Sequence, residues 1–543
     1  MPDSTQNPTP KERLLPIIYV RGYAMSRTEQ NETAADPFCG FNLGSTVYRA
    51  TPEKTQRADK FVFESPVLRL MKEYGYDAVY RHGFDIMDDS WDGGQLESNS
   101  IIIYRYYDEA SSILGDGTTP DIEHFARGLA DLIERVRDLT TKSAQDPDKA
   151  KQDFRCYLVA HSMGGLICRA FLQNSTLRAD DLIKTVDKFF TYATPHNGID
   201  MAGVNVPEWL TANDIYNFNR QHMADYLAID KALFEETGRV DWIPESILPS
   251  RKVFCLVGTN RSDYEVAMGL SRTFSGHGSD GLVRIANASV WGVEADGKTQ
   301  NPAATAFVFR SHSGAFGIVN SEESYQNLTR FLFGDLRVDI YLDVDAVTLP
   351  EPLQGKDAQV EAVYQIGLLV SPRGRRWYLS RRVSEEDSVA CRTHAELSAG
   401  PTSVYLSTMF LSERFRPAQP DPRRPEELKF GVTLDLRVPD YELDHKFWFN
   451  DHFEGASLFT DTFAVSAVEP DKTGGDWSVE VTRNNGKTTD TQPLDLDGLN
   501  GGQSCELKIP FKSPRPAPAI SGKLRFVLSQ WNEWLGPAAD TQP

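Results

Sequence analysis

Nowhere in its 543 residues does the chain hold a run of about 18 consecutive apolar residues, which argues against a membrane-spanning helix. Positive charge is also scarce. Against 57 Lys and Arg stand 77 Asp and Glu, a net charge of −20 that opposes nucleic acid and anionic membrane surfaces as partners. Cysteine is sparse, with six in the chain and no Cys-x-x-Cys or Cys/His spacing, so neither a metal site nor a disulfide framework is expected. Cys156, Cys168 and Cys255 sit within apolar strand or helix patterns, where a free cysteine acts as a small hydrophobe. The opening residues, Met1 to Pro10, lack a basic stretch followed by an apolar run, and no secretory leader is expected. There is no internal repeat.

A length of 543 residues exceeds what one core supports, so two or more domains are expected. After a disordered tail over residues 1–13, residues 14–335 alternate short apolar runs with helical periodicity, the pattern of an α/β domain with a mostly parallel sheet. Strands are expected over 15–20, 78–81, 101–104, 154–159, 188–192, 253–257 and 307–309, and helices over 62–73, 121–139, 165–172 and 322–333. Two long excursions interrupt the rhythm, at residues 22–60 and 198–250. The second carries Trp209, Tyr226, Phe234 and Trp242, and reads as a helical cap, a lid or the wall of an apolar pocket. Residues 336–543 change to period-two runs divided by turns, as in 338–344, 431–438, 477–481 and 523–528, so a separate all-β sandwich is expected there.

The most informative stretch runs Phe154-Arg-Cys-Tyr-Leu-Val-Ala160-His-Ser162-Met-Gly164-Gly165-Leu166. It reads as a buried strand turning sharply into a helix, with small residues at 160 and 164 that let Ser162 stand exposed at the apex. This is a nucleophile elbow. The N–H of Met163, opening the helix, is placed to face the oxygen of a tetrahedral intermediate.

A serine nucleophile needs a base and a carboxylate to orient that base, in the order Ser, acid, His for an α/β-hydrolase. Five histidines follow Cys255: His277, His312, His394, His445 and His452. His312 is preferred because Phe307-Val-Phe-Arg-Ser-His312-Ser-Gly reads as a strand entering a glycine-bearing loop; His277 is the alternative, and the last three fall in the β-rich region. For the acid, Asp280 lies in the Gly-flanked turn Gly278-Ser-Asp280-Gly281, with Asp263 as runner-up. The second oxyanion donor is expected from the N–H of Tyr23, after Gly22 in Ile17-Ile-Tyr-Val-Arg-Gly22-Tyr23. Arg21 reads as a charge at the sheet edge with no catalytic part.

These segments, with Thr191-Tyr-Ala-Thr-Pro-His196-Asn-Gly198, resemble the lipase branch of the α/β-hydrolases, nearest to bacterial triacylglycerol lipases and the GPI-inositol-deacylase-like group. The resemblance covers about the first 335 residues. It departs at Arg21, where many lipases carry the His of a His-Gly motif, and at Ala160 in place of glycine, as in one bacterial subgroup. It implies an esterase, lipase or phospholipase that forms an acyl-serine intermediate without an organic cofactor, and a structural His196. On this reading Trp209 and Phe234 line an acyl pocket for a lipidic ester, and the β-rich domain contacts a lipid surface or a protein partner. An acyltransferase using the same residues, and a non-catalytic binding protein on the same scaffold, are the rivals. Location is expected to be cytoplasmic, or else outside the cell by a signal-independent secretion system, as a lipolytic effector.

Overall fold

The computed structural model describes residues 14–22, 46–49, 59–62, 65–78, 86–87, 91, 94–104, 106, 120–201, 204–205, 214–261, 278–312, 317–355, 359–372, 375–412, 414, 428–444, 451–468, 478–483, 489–493 and 503–532. They fall into two compact units, 14–325 and 326–532.

In the first unit, seven strands form one sheet: β1 (Ile17–Val20), β2 (Asp77–Ala78), β3 (Ser100–Tyr104), β4 (Cys156–His161), β5 (Val186–Tyr192), β6 (Val253–Gly258) and β7 (Ala304–Val308). Their order is β7-β6-β5-β4-β1-β3-β2, and every neighbouring pair is parallel. β1, β4 and β6 are buried at every residue, as a sheet covered on both faces requires. Helices α1 (Ser65–Tyr74), α2 (Ile122–Thr141) and α3 (Met163–Gln173) accompany the sheet, and α4 (Glu322–Phe333) follows β7 in the chain. Asp121 caps α2 by accepting from the His124 N–H at 2.7 Å, and Phe125, Leu129, Ile133 and Val136 lay its apolar stripe into the core shared with α3. The start of α4 is tied to α1 by Arg69–Glu322 at 2.7 Å and by the Tyr325 hydroxyl donating to Glu73 at 3.0 Å.

Most expected elements lie within two or three residues of the observed ones. The last strand starts at Ala304 rather than Phe307, since Ala304-Thr-Ala offers no bulky β-forming signal although each residue is buried against β6. Arg21 corrects an expectation. β1 is a central strand flanked by β3 and β4, so Arg21 is fully buried and is not a charge at the sheet edge.

The 198–250 insertion is built into the core where it is described. Met223, Ala224, Tyr226 and Leu227 on and after the helix Arg220–Tyr226 belong to the same buried cluster as α2 and α3. Its strand Trp242–Pro244 pairs in parallel with Trp291–Val293, which pairs antiparallel with Gln300–Pro302.

The second unit holds two antiparallel sheets. One contains Leu336–Thr348, Thr402–Leu411, Ser504–Lys512 and Ala519–Gln530; the other is built on the long strands Gln359–Pro372, Leu428–Asp444 and Asp451–Val468. Alternate residues of both, such as Val338, Leu342 and Phe526 on one and Val370, Val432 and Leu434 on the other, meet in one apolar core. The division between units falls inside α4. Within the second unit Phe331 packs edge-on to Phe410 and at 5.4 Å from Trp531, whose indole N–H donates to the Phe331 carbonyl.

Candidate active site

The chain order reverses between β1 and β4, and in an open parallel sheet the crevice beyond the carboxyl ends at such a point is where ligands bind. Ser162 stands there. Joining β4 to α3, it has φ 52° and ψ −126°, a strained conformation for a residue with a Cβ. The turn is held by its N–H donating to Tyr192 O at 2.9 Å and by Gly165 N–H donating to Ser162 O at 3.0 Å. Glycine is required on the helix side: a Cβ on Gly164 would lie 2.4 Å from the carbonyl oxygens of Val20 and Arg21, and one on Gly165 would lie 2.2 Å from Thr194 Oγ1.

Two other loops come to the same place. His312, after β7, puts Nε2 2.9 Å from Ser162 Oγ and Nδ1 2.9 Å from Asp280 Oδ2. The other carboxylate oxygen accepts the N–H groups of Leu282 at 3.0 Å and Val283 at 2.7 Å. The His312 N–H donates to Asp280 O at 2.9 Å, so backbone and side chain both fix this pair. A carboxylate only accepts, which places the His312 proton on Nδ1 and leaves the Nε2 lone pair for the serine hydroxyl. All three groups are buried, Ser162 least so at 8% exposure. An imidazole in this position can take the hydroxyl proton as Oγ attacks an electrophilic carbon.

Met163 is the first residue of α3 and is buried, so its N–H belongs to the positive end of an eleven-residue helix. Tyr23, Trp209, Asp263, His277 and His445 lie outside the described residues. Phe234 is partly buried and packs against the main core cluster. His394 belongs to the second unit, where Nδ1 pairs with the Tyr364 hydroxyl at 3.2 Å; His452 lies on the strand Asp451–Val468 of that unit. His196 is buried beside Thr191 Oγ1 at 3.2 Å and Cys255 Sγ at 3.7 Å. Burial pushes the thiols up, to about 12 for Cys156 and about 11 for Cys255, which removes them as nucleophiles at neutral pH. Among the described residues no group of three or more His, Cys, Asp or Glu could hold a metal ion, and no helix is long and apolar enough to cross a membrane.

Two further buried residues, His161 and Arg169, stand beside these groups. His161, ending β4, sets Nε2 3.0 Å from the His312 carbonyl oxygen. The signal for it was an imidazole inside an otherwise apolar strand. Arg169, on α3, spends its donors on carbonyls: His196 at 2.9 Å, Val240 at 2.7 Å and Trp242 at 2.9 Å, with Gln173 Oε1 at 2.9 Å. Burial brings its guanidinium down to about 10, so it remains charged at pH 7. Asn197 extends this wiring to the loop that carries Asp280. Its amide donates to Asn287 Oδ1 at 3.0 Å, Asn287 donates to Asp200 at 3.0 Å, and Arg220 donates to Asp200 at 2.8 Å.

No family model matches the sequence, and no curated protein does. Among solved structures the chain is similar to Bacillus licheniformis lipase BlEst2 in its mature form, at 16% identity over 61% of this chain and 96% of that one, with a TM-score of 0.27. The propeptide form of the same lipase gives 12% identity over 90% and 98%, TM-score 0.26. Phospholipase PlaB from Legionella pneumophila gives 13% over 81% and 90%, TM-score 0.29. Superpositions this loose leave the site geometry to stand by itself.

Proposed function

We propose that the protein is a serine carboxylester hydrolase, a lipase or phospholipase, acting on acyl esters of lipids. The carrying observation is the continuous chain of contacts from Ser162 Oγ through His312 to Asp280, each 2.9 Å, with the serine on a strained turn at the head of a helix. In this reading Ser162 Oγ attacks the ester carbonyl while His312 Nε2 takes its proton. The tetrahedral oxyanion is assigned to the N–H of Met163 and that of Tyr23. As the intermediate collapses, His312 returns the proton to the departing alcohol and an acyl-serine remains. Water, deprotonated by the same nitrogen, then releases the carboxylic acid and restores Ser162. Asp280 holds the imidazole in its Nδ1–H form and stabilises the imidazolium.

Trp209 and Phe234 are assigned to the wall of the acyl pocket, and the β-rich unit to engagement of a lipid surface or partner, with no part in the chemistry. The test is labelling by a fluorescent alkyl phosphonate, followed by mapping of the adduct and a screen of p-nitrophenyl esters and phospholipids of varied chain length. Modification at Ser162 with ester turnover is expected. A folded protein that neither reacts with the probe nor turns over any ester removes the proposal and leaves the binding-protein alternative.

A further inference from the structure

His161 is the buried titratable group at this site that the hydrolase mechanism leaves unused. It directly precedes Ser162 and is 3% exposed. Its Nε2 faces the His312 carbonyl oxygen at 3.0 Å, and because a carbonyl can only accept, Nε2 carries the proton and donates. Burial, and after it the neighbouring His312, hold His161 well below the ordinary histidine range, so the ring is neutral and Nδ1 is a lone pair. That nitrogen faces the end of β1, where a Cβ on Gly22 would come within 2.6 Å of it. The two imidazole rings lie 5.0 Å apart with their planes at 40°.

The His312 main chain is therefore gripped at both ends, its N–H by Asp280 O at 2.9 Å and its carbonyl by His161. A side chain pivots on its backbone, and a displacement of about 1 Å of a reacting group can cost on the order of a hundredfold in rate. Neutrality matters as well, since a cation here would oppose the positive charge that His312 acquires when it takes the serine proton.

We propose that His161 is a positioning residue for the general base: its Nε2–H fixes the His312 backbone and so holds the imidazole over Ser162 Oγ. The proposal rests on the Ser162–His312–Asp280 reading. Its test compares His161→Gln, whose amide N–H reaches about as far as Nε2, with His161→Asn, whose amide stops near the Nδ1 position. On a soluble p-nitrophenyl ester, His161→Asn is expected to lower kcat about 10- to 100-fold with KM within about twofold, and the phosphonate labelling rate to fall in parallel. His161→Gln is expected to recover kcat to within a few fold of the parent. If His161→Gln is no better than His161→Asn, whether through lost turnover or a lost fold, or if both retain full kcat, the proposal is overturned. Ser162→Ala separates the two levels: turnover surviving in that variant removes the hydrolase reading itself, whereas an inert Ser162→Ala beside equal His161 variants removes only the positioning role.

Discussion

His312 Nε2 and Ser162 Oγ lie 2.9 Å apart although 150 residues of chain separate them. Removing either end of this contact is expected to abolish ester turnover. For Ser162→Ala, and comparably for His312→Ala, kcat should fall by on the order of 10⁴ or more, with a small residue from oxyanion stabilisation and binding. Both variants should melt close to the parent. Steady-state assays on a p-nitrophenyl ester check this, and near-parental activity in either variant sinks the assignment.

In the proposed mechanism Asp280 acts on the substrate only through His312. Asp280→Asn offers an N–H where the imidazole needs an acceptor, favouring the wrong tautomer, and kcat should drop by about 10³ to 10⁴. Slow phosphonate modification of Ser162 should persist. A nearly normal Asp280→Asn with a crippled Asp263→Asn would move the acid to Asp263.

Arg169 is a stability residue. Arg169→Met keeps the bulk but strands the carbonyls of His196 and Val240, each of which costs about 1–3 kcal/mol when buried without a donor, while that of Trp242 keeps the Gln173 amide at 3.0 Å. A loss of about 2 kcal/mol or more is expected, read as a fall in Tm of roughly 3 °C or more for a unit of this size. An unchanged Tm would show that the cation is dispensable.

Acid should destabilise the fold well above the carboxylate range. Burial holds both His161 and His196 far below the ordinary histidine value of about 6.5, so each is neutral in the folded chain while the unfolded chain takes up a proton below that pH. The unfolded state then binds more protons, so the stability from these groups is complete above about pH 6.5 and is lost as pH falls below it, by about 1.4 kcal/mol per pH unit for each group. Urea midpoints from pH 7.5 to 5.5 should decline accordingly, and His196→Gln should flatten the decline by about half. A midpoint constant over that range contradicts it.

A chain cut after Asp335 keeps Ser162, Asp280 and His312 but takes Phe410 and Trp531 from Phe331. We expect it to hydrolyse soluble short esters with a lower Tm than the full chain. A folded but inactive fragment would mean that a residue after 335 completes the site.

Much of the site is legible locally. Ala160-His161-Ser162-Met163-Gly164-Gly165 after a buried run encodes the elbow, because the steric demands of a positive-φ turn act between near neighbours. The alternation of 14–335 and the period-two texture beyond it likewise specify a parallel sheet with helices and antiparallel sheets, since side-chain period follows backbone geometry. Composition could not show that β1 lies inside the sheet, which buries Arg21, or that Ala304-Thr-Ala belongs to a strand. Nor could it give His161 and Arg169 their partners, which are backbone carbonyls and leave no mark in the pattern of residue types. The Asp280–His312 contact spans 32 residues and the His312–Ser162 contact 150, and distances of that kind are set only when strands pair in a particular order. The sequence alone determined which groups could react. Tertiary structure decided which of them meet, because long-range strand pairing, and not local periodicity, brings the loops after β4, β6 and β7 to one point.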